Sequence, residues 1–315
     1  MMSSSGPANS MKDTLTGVSF ACLSTSIGGM TVALTRLIID QTDPLSLAFV
    51  RYGMAAVILI VIMMARRRVA RMAQRDVMVI ALLGVFMYAG FPYCMARALE
   101  DTTAARGALI FAAMPLITNM LGAVFRIEHL TALRSVAIVV AIGGVATALG
   151  EHDDTIAPNA LQGDAFMFLG ILSAATFNVF SKQYLIRYGS LPVMVCAMLV
   201  GVSILFFMSL MFGEPFSGSL DFDIEGWFVV LLLAVPGGAL MLFSWGRALQ
   251  LITPTQAAIT VGLNPLTAIL LGAWMLSEPI TPNILIGLVM IMVAIVLANL
   301  KRPNFSPSSR RNSAQ

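Results

Sequence analysis

The chain repeats one pattern of residues at a constant distance of 150 positions. The first copy consists of Arg97, Ala98, Leu99, Thr103, Ala108, Pro115, Leu116, Leu121, Gly122, Ala123, Glu128 and Thr131. The second copy consists of Arg247, Ala248, Leu249, Thr253, Ala258, Pro265, Leu266, Leu271, Gly272, Ala273, Glu278 and Thr281. Two related halves in an apolar chain are typical of a transporter, because halves that rock about a shared centre give alternating access to a site between them.

The low charge content of the chain excludes an ordinary soluble domain. Hydrophobic residues make up 58% of the sequence and charged residues 11%, whereas a soluble domain carries roughly 25% charged residues. The mean hydropathy is +0.87. The sequence therefore predicts a membrane protein whose surface contacts lipid.

Ten apolar segments are long enough to cross a bilayer, which takes about 20 residues of helix. The predicted spans are 14–36, 44–65, 77–98, 104–125, 133–150, 163–184, 191–212, 226–248, 254–276 and 283–300. The fold class is therefore all-α, with ten transmembrane helices. The spans divide the chain into a cytoplasmic segment 1–13, a first five-helix repeat 14–150, an outer linker 151–162, a second five-helix repeat 163–300 and a basic cytoplasmic tail 301–315.

The distribution of basic residues predicts that both termini lie in the cytoplasm, since Lys and Arg concentrate in cytoplasmic loops. With the N-terminus inside, 15 of the 19 basic residues fall on the cytoplasmic side. The two longest outer loops carry acidic residues instead, namely Glu151, Asp153, Asp154, Glu214, Asp221, Asp223 and Glu225. We therefore expect a multi-pass protein of the cell inner (plasma) membrane.

Each half contains five spans, and this odd number inverts one half relative to the other. Glu128 then lies at the cytoplasmic end of the fourth span, and its copy Glu278 lies at the outer end of the ninth. Inverted repeats of this kind place a shared site near the membrane midplane. The alternative is a duplicated scaffold that transports nothing.

Three segments of the chain resemble EamA-type repeats of the drug/metabolite transporter superfamily. They are DPLSLAFVRYGMAA (43–56), ARALEDTTAARGALIFAAMPLITNMLGAVFRIEHLT (96–131) and GRALQLITPTQAAITVGLNPLTAILLGAWMLSEPIT (246–281). The resemblance extends from about residue 14 to residue 300. It implies two inverted five-helix EamA repeats and the export or uptake of small metabolites. It does not indicate which metabolite is carried.

Paired prolines and nearby amides mark the centre of the repeated unit. Pro115 and Pro265 lie near the middle of the fourth and ninth spans, where a proline removes a backbone donor and leaves a carbonyl without its partner. We predict a hinge at each, although either kink could serve packing alone. Asn119 and Asn264 lie close by, and a buried amide needs a partner. They are expected either to bind substrate or to join neighbouring helices.

Arg51 breaks the symmetry of the two halves. Alignment of Pro44 with Pro192 places Leu199 opposite Arg51, so the second half has no equivalent cation. An arginine in a span costs roughly 2.5–3.5 kcal/mol on insertion scales and faces the interior of the bundle. It either attracts a carboxylate or phosphate of the substrate or ties helix carbonyls together.

Five further residues are weaker candidates for the transport path. Each could instead serve packing or lie at the membrane interface, which is the commoner use of such residues. They are Asn178, Gln256, Tyr88, Tyr93 and Trp245.

The placement of charged residues narrows the substrate class. No Asp or Glu falls in the middle of a predicted span, and intramembrane carboxylates are the usual cation and proton sites. Arg51 is then the ionisable group expected deepest in the membrane. Arg97 and Arg106 are expected to form an access region on the outer side, partly neutralised by Glu100 and Asp101.

These observations predict a secondary active or facilitative transporter that exports small neutral, zwitterionic or anionic metabolites, preferably ones that resemble amino acids. The alternative is an uptake permease for a vitamin, nucleobase or similar metabolite; a channel and a membrane-embedded enzyme are more remote. We expect no enzyme activity, because no cluster of catalytic residues falls at membrane depth, and no cofactor or metal. The expected partners are a small-molecule substrate and membrane lipid but not nucleic acid, with the chain a monomer or homodimer.

Overall fold

The architecture is a bundle of long apolar helices, seen in a computed structural model that describes residues 11–65, 72–127, 131–150, 159–213, 215–216, 218–252 and 260–299. The helices are α1 Met11–Ile39, α2 Pro44–Ala65, α3 Gln74–Val85, α4 Phe91–Asp101, α5 Ala104–Ala112, α6 Met114–Val124, α7 Ala132–Leu149, α8 Ala160–Tyr188, α9 Ser190–Phe212, α10 Ile224–Ala234, α11 Met241–Leu251, α12 Leu263–Leu276 and α13 Pro282–Asn299. The protein is an all-α membrane protein, as the sequence predicts.

Within the described residues, nine helical segments are long and apolar enough to span a membrane. The tenth predicted span is represented by α12, which has 14 residues and follows the undescribed residues 253–259. The bounds of the other spans differ from the predicted ones by four residues or fewer at each end, since apolar helices end near the point where polar residues begin.

Two of the spans contain a π-helical turn. Residues Phe86–Gly90 join α3 to α4 in the third span, and residues Val235–Leu240 join α10 to α11 in the eighth. The two turns fall at matching places in the two halves. Such turns are rare and are often found at functional sites.

The fourth and ninth spans are interrupted close to the paired prolines. Ala113 separates α5 from α6, and Pro115 stands in the first turn of α6. In the ninth span, Val261 and Gly262 form a turn directly before α12, whose third residue is Pro265. Ala112 and Val261 belong to one apolar cluster, so the two interruptions lie near each other inside the bundle.

The two halves are interleaved through their first helices. α1 packs against α11 and α12 of the second half, and α8 packs against α4 and α6 of the first half. Glycine makes both contacts close. A β-carbon on Gly17 would lie 2.6 Å from Ile252, and one on Gly163 would lie 2.7 Å from the carbonyl oxygen of Ala98. Small residues at helix interfaces are the usual means of packing in lipid.

Candidate functional site

A cavity of about 130 Å³ lies between α6 of the first half and α8 of the second, and its wall is mostly apolar with a few polar side chains. Asn119 and Thr118 line it from α6, and Asn178 lines it from α8. The remaining lining residues are Gly122, Ile127, Val179 and Lys182. The structure thus brings together two of the amides that the sequence predicts for the transport path. Their proximity could not be read from the sequence, since 59 positions separate them.

Arg51 lies inside the bundle, with 9% of its surface exposed. Its Nη1 donates to Oγ1 of Thr35 on α1 at 3.2 Å. Its guanidinium carbon lies 5.1 Å from the ring centre of Tyr52. Tyr52 in turn contacts Tyr88, and Tyr88 contacts Phe177 of α8. A row of aromatic rings therefore leads from Arg51 to the helix that carries Asn178.

Asn264 is buried one turn after the interruption of the ninth span. A β-carbon on Gly28 would lie 2.5 Å from Nδ2 of Asn264, so the glycine gives the amide its room. Among the described residues, Oδ1 of Asn264 has no hydrogen-bond partner. An unsatisfied buried amide oxygen is costly, and it is available to a ligand or a water molecule.

Two other candidates pack in apolar clusters. Tyr93 packs against an apolar cluster that includes Leu45 and Leu205. Trp245 packs beside Ala21 and Ala248. Gln256 lies outside the described residues, as does Glu128.

The charged residues near the start of the fourth span pair differently from the sequence expectation. Arg97 does contact Glu100 and Asp101, at 2.6 and 2.7 Å. Arg106 instead forms a buried ion pair with Asp164 of α8. Burial therefore does not set Arg51 apart from these two charged groups, because Arg106 and Asp164 are 5% and 3% exposed.

Two residues that sequence reasoning did not assign complete this ion pair. Thr102 donates its hydroxyl to Asp164 at 2.9 Å. The carbonyl of Ala148 at the end of α7 accepts from Arg106 at 3.4 Å. Asp164 had a weak sequence signal, since it is an acidic residue within an otherwise apolar segment of the sixth span.

Glu278 connects the end of α12 to the start of α5. Its carboxylate accepts the backbone N–H groups of Ala104 and Ala105 at 2.9 and 3.4 Å. These are donors that a helix start leaves without intrahelical partners. Burial raises the pKa of Glu278, while the two backbone hydrogen bonds and the nearby Arg36 oppose that rise. Among the described residues, no group of three or more potential metal ligands occurs.

Comparison with known proteins matches one family to two stretches of the chain. The model of the EamA-like transporter family matches residues 15–150 and again residues 161–300. The chain belongs to the EamA-like transporter family. It is therefore a multi-pass membrane protein of a transporter type, built from two EamA repeats.

Relatives of this EamA protein are similar along most of their length. The uncharacterized transporter YyaM of Bacillus subtilis (strain 168) is 23% identical over 277 residues, covering 86% of this chain and 89% of the relative. The uncharacterized transporter YetK of the same organism is 21% identical, covering 91% and 88%. The uncharacterized inner membrane transporter YedA of Escherichia coli (strain K12) is 22% identical, covering 87% of each chain.

A solved crystal structure of a protein has the same fold as this EamA transporter. The two superpose with a TM-score of 0.64 at 17% sequence identity, covering 91% of this chain and 96% of the other.

Proposed function

We propose that this EamA transporter carries small polar metabolites across the cytoplasmic membrane by alternating access. The substrates are neutral, zwitterionic or anionic, amino-acid-like molecules, and export is the preferred direction. The protein acts as a carrier rather than as an enzyme, and both termini lie in the cytoplasm. A single chain holds both repeats, so a monomer or a homodimer can serve.

The observation that carries this proposal is the pair of amides in the cavity between α6 and α8. Each half of the protein contributes one amide to it, Asn119 from the first and Asn178 from the second. Rocking of the halves would change the distance between the two amides and so bind or release a small molecule. The interruption at Ala113, directly before α6, gives that helix a point at which to bend.

Proteoliposomes test the proposal. Purified protein is reconstituted, and the flux of a panel of labelled amino acids and other small metabolites is compared with empty vesicles. Saturable flux with counterflow supports a carrier and separates it from a channel. Flux on no member of the panel contradicts the proposal. Vesicles in which the protein has a known orientation then distinguish export from the alternative of uptake, when substrate is supplied either inside or outside the vesicles.

Two matched variants connect the flux to the cavity. Asn119→Leu and Asn178→Leu keep the approximate side-chain volume but remove hydrogen-bonding groups, so we expect at least about a tenfold loss of transport efficiency. Asn299→Leu is the control, because that amide bonds the carbonyl of Ile295 at the end of α13. Equal flux in all three variants would remove the cavity from the transport path.

A further inference from the structure

We infer that Arg51 binds the carboxylate group of the transported molecule. This inference rests on the proposed transport function and narrows its substrate class to carboxylate-bearing molecules. The guanidinium lies between α1 and α2, and the side chain is 9% exposed. Its position is seven residues, or roughly 10 Å, from the start of α2 at Pro44.

The lack of a carboxylate within ion-pair distance distinguishes Arg51 from Arg106, the other buried arginine of the described residues, and from three more exposed arginines. Arg36, Arg97, Arg106 and Arg187 each lie within ion-pair distance of an acidic side chain. The comparison with Arg106 is the most direct, since that residue is also buried and its counter-charge is Asp164. Across the described residues, no acidic side chain pairs with Arg51.

A buried cation needs a counter-charge or a full set of acceptors, because desolvation penalises an unpaired charge. Thr35 supplies one acceptor. The hydroxyl of Thr35 donates to the carbonyl of Thr31 at 2.7 Å, which fixes its lone pairs toward Arg51. A guanidinium has five N–H donors, and a carboxylate accepts two of them in a bidentate pair. The ligand therefore supplies the charge that the described residues do not.

The amount of charge favours a carboxylate over a phosphate monoester. A carboxylate carries one negative charge and neutralises Arg51 completely. A phosphate monoester carries about −1.5 to −2 at pH 7 and would leave excess charge in a buried place. The second half does not add another cation, since α9 contains no charged residue and Leu199 is 47% exposed.

A second polar group lies along the same face of α1. Thr35 and Gly28 are seven residues apart, which is two helical turns or roughly 10 Å. Asn264 contacts α1 at Gly28 with its buried amide. Arg51 and Asn264 therefore meet α1 on one face, about two turns apart.

The stability of the ligand-free protein distinguishes a binding role from a structural one. If Arg51 awaits a ligand, Arg51→Met removes a buried cation that lacks a counter-charge, and this gain offsets the lost hydrogen bond to Thr35, so the unfolding temperature in detergent stays equal or rises. If Arg51 ties helices together, the same variant unfolds at a lower temperature, and that result overturns the inference. Arg36→Met is the control on α1, because Arg36 already pairs with Asp40.

Ligand-dependent stability supplies the second readout. The probes are a panel of amino acids and monocarboxylates, each paired with its own carboxamide. At least one carboxylate should raise the unfolding temperature of the wild type and of Arg36→Met by mass action. The same shift in Arg51→Met should require at least about tenfold more probe, since a charge-assisted hydrogen bond is lost. The matched carboxamide should give no shift in any of the three proteins.

Three results contradict the inference. They are no shift of the wild type with any carboxylate, equal shifts in wild type and Arg51→Met, and equal shifts with carboxylate and carboxamide. Flux measurements in proteoliposomes separate this failure from failure of the proposed function. If carboxamides or other neutral probes are transported as well as carboxylates are, the proposed transport function stands and the role of Arg51 is contradicted. If a carboxylate raises the unfolding temperature in a way that depends on Arg51 but no probe is transported, the role of Arg51 in binding stands and the proposed transport function is contradicted.

Discussion

At the scale of single residues, the buried pair of Arg106 and Asp164 joins three spans. Asp164→Asn leaves Arg106 buried without its counter-charge, so we expect the free energy of unfolding to fall by about 3–5 kcal/mol. Chemical unfolding in detergent measures the change. The control is Asp40→Asn, whose partner Arg36 lies one turn away on the surface, and its cost should stay below about 1 kcal/mol. A loss no larger than that of the control would show that the buried pair contributes little.

The sequence predicted the burial of Arg51 and the presence of amides in the spans, because polar groups in lipid turn inward. It did not predict which amides meet. The polar residues of α8 are spread around the helix, and α9 is apolar on nearly all sides, so periodicity does not indicate which face meets which neighbour. The partner of Arg106 was missed for a related reason. Glu100 and Asp101 are close in the chain, whereas Asp164 approaches through the packing of α8 on α4.

At the scale of helices, the contact of Glu278 with the start of α5 should make stability depend on pH. Burial raises the pKa of Glu278 above its value in the unfolded chain, so the native state holds the proton more tightly. The native state is then favoured most below the ordinary Glu pKa of about 4.3 and loses stability as pH rises through the raised native pKa. Glu278→Gln should lack this decline.

The measurement is the unfolding temperature of wild type and Glu278→Gln across that pH range. All other carboxyl groups are common to both proteins, so their contributions cancel in the difference. The unfolding temperature of Glu278→Gln minus that of the wild type should increase as pH rises. A difference that is constant with pH, or that moves in favour of the wild type, would contradict a raised native pKa.

The close approach of α1 to α12 depends on Gly29. A β-carbon there would overlap the carbonyl oxygen of Asn264 and lie 2.8 Å from the side chain of Thr267. Gly29→Ala should therefore force the helices apart and lower the free energy of unfolding by about 1–3 kcal/mol. Gly53→Ala is the matched control on α2, since its nearest neighbours would lie 3.8 Å away. Similar unfolding curves for both variants would show that α1 can shift without cost.

The interruptions of the fourth and ninth spans were predictable to within a turn, but the π-helical turns were not. Pro115 and Pro265 signal a break because proline lacks the backbone donor, and the breaks occur just before each proline. A π turn adds one residue to a helical turn without requiring a particular residue type. Pro236, Gly237 and Gly238 in the segment Val235–Leu240 do indicate a weak point in the helix, but they do not indicate a π turn.

At the scale of the whole molecule, hydropathy alone gave the number and approximate bounds of the spans. The ten predicted segments correspond to the helical segments from α1 to α13. The interleaving of the halves had no sequence signal that could be read in advance. Gly17 and Gly163 permit close packing, but a small residue does not identify the helix that approaches it.

The inverted arrangement of the two repeats makes a prediction about two matched positions. Ile127 and Ser277 are 150 residues apart, follow the ends of α6 and α12, and are both exposed. With both termini in the cytoplasm, Ile127 faces the cytoplasm and Ser277 faces the outside. A parallel duplication would place the two positions on the same side of the membrane.

Cysteine labelling measures this difference. Cys22, Cys94 and Cys196 are first replaced by alanine, and Ile127→Cys or Ser277→Cys is then introduced. In intact cells, an impermeant maleimide should label Ser277→Cys and should label Ile127→Cys only after the membrane is permeabilised. Labelling of both in intact cells, or of neither, would contradict the inversion. Labelling of Ile127→Cys but not of Ser277→Cys in intact cells would still support the inversion. It would show that the whole chain has the opposite orientation, with both termini outside.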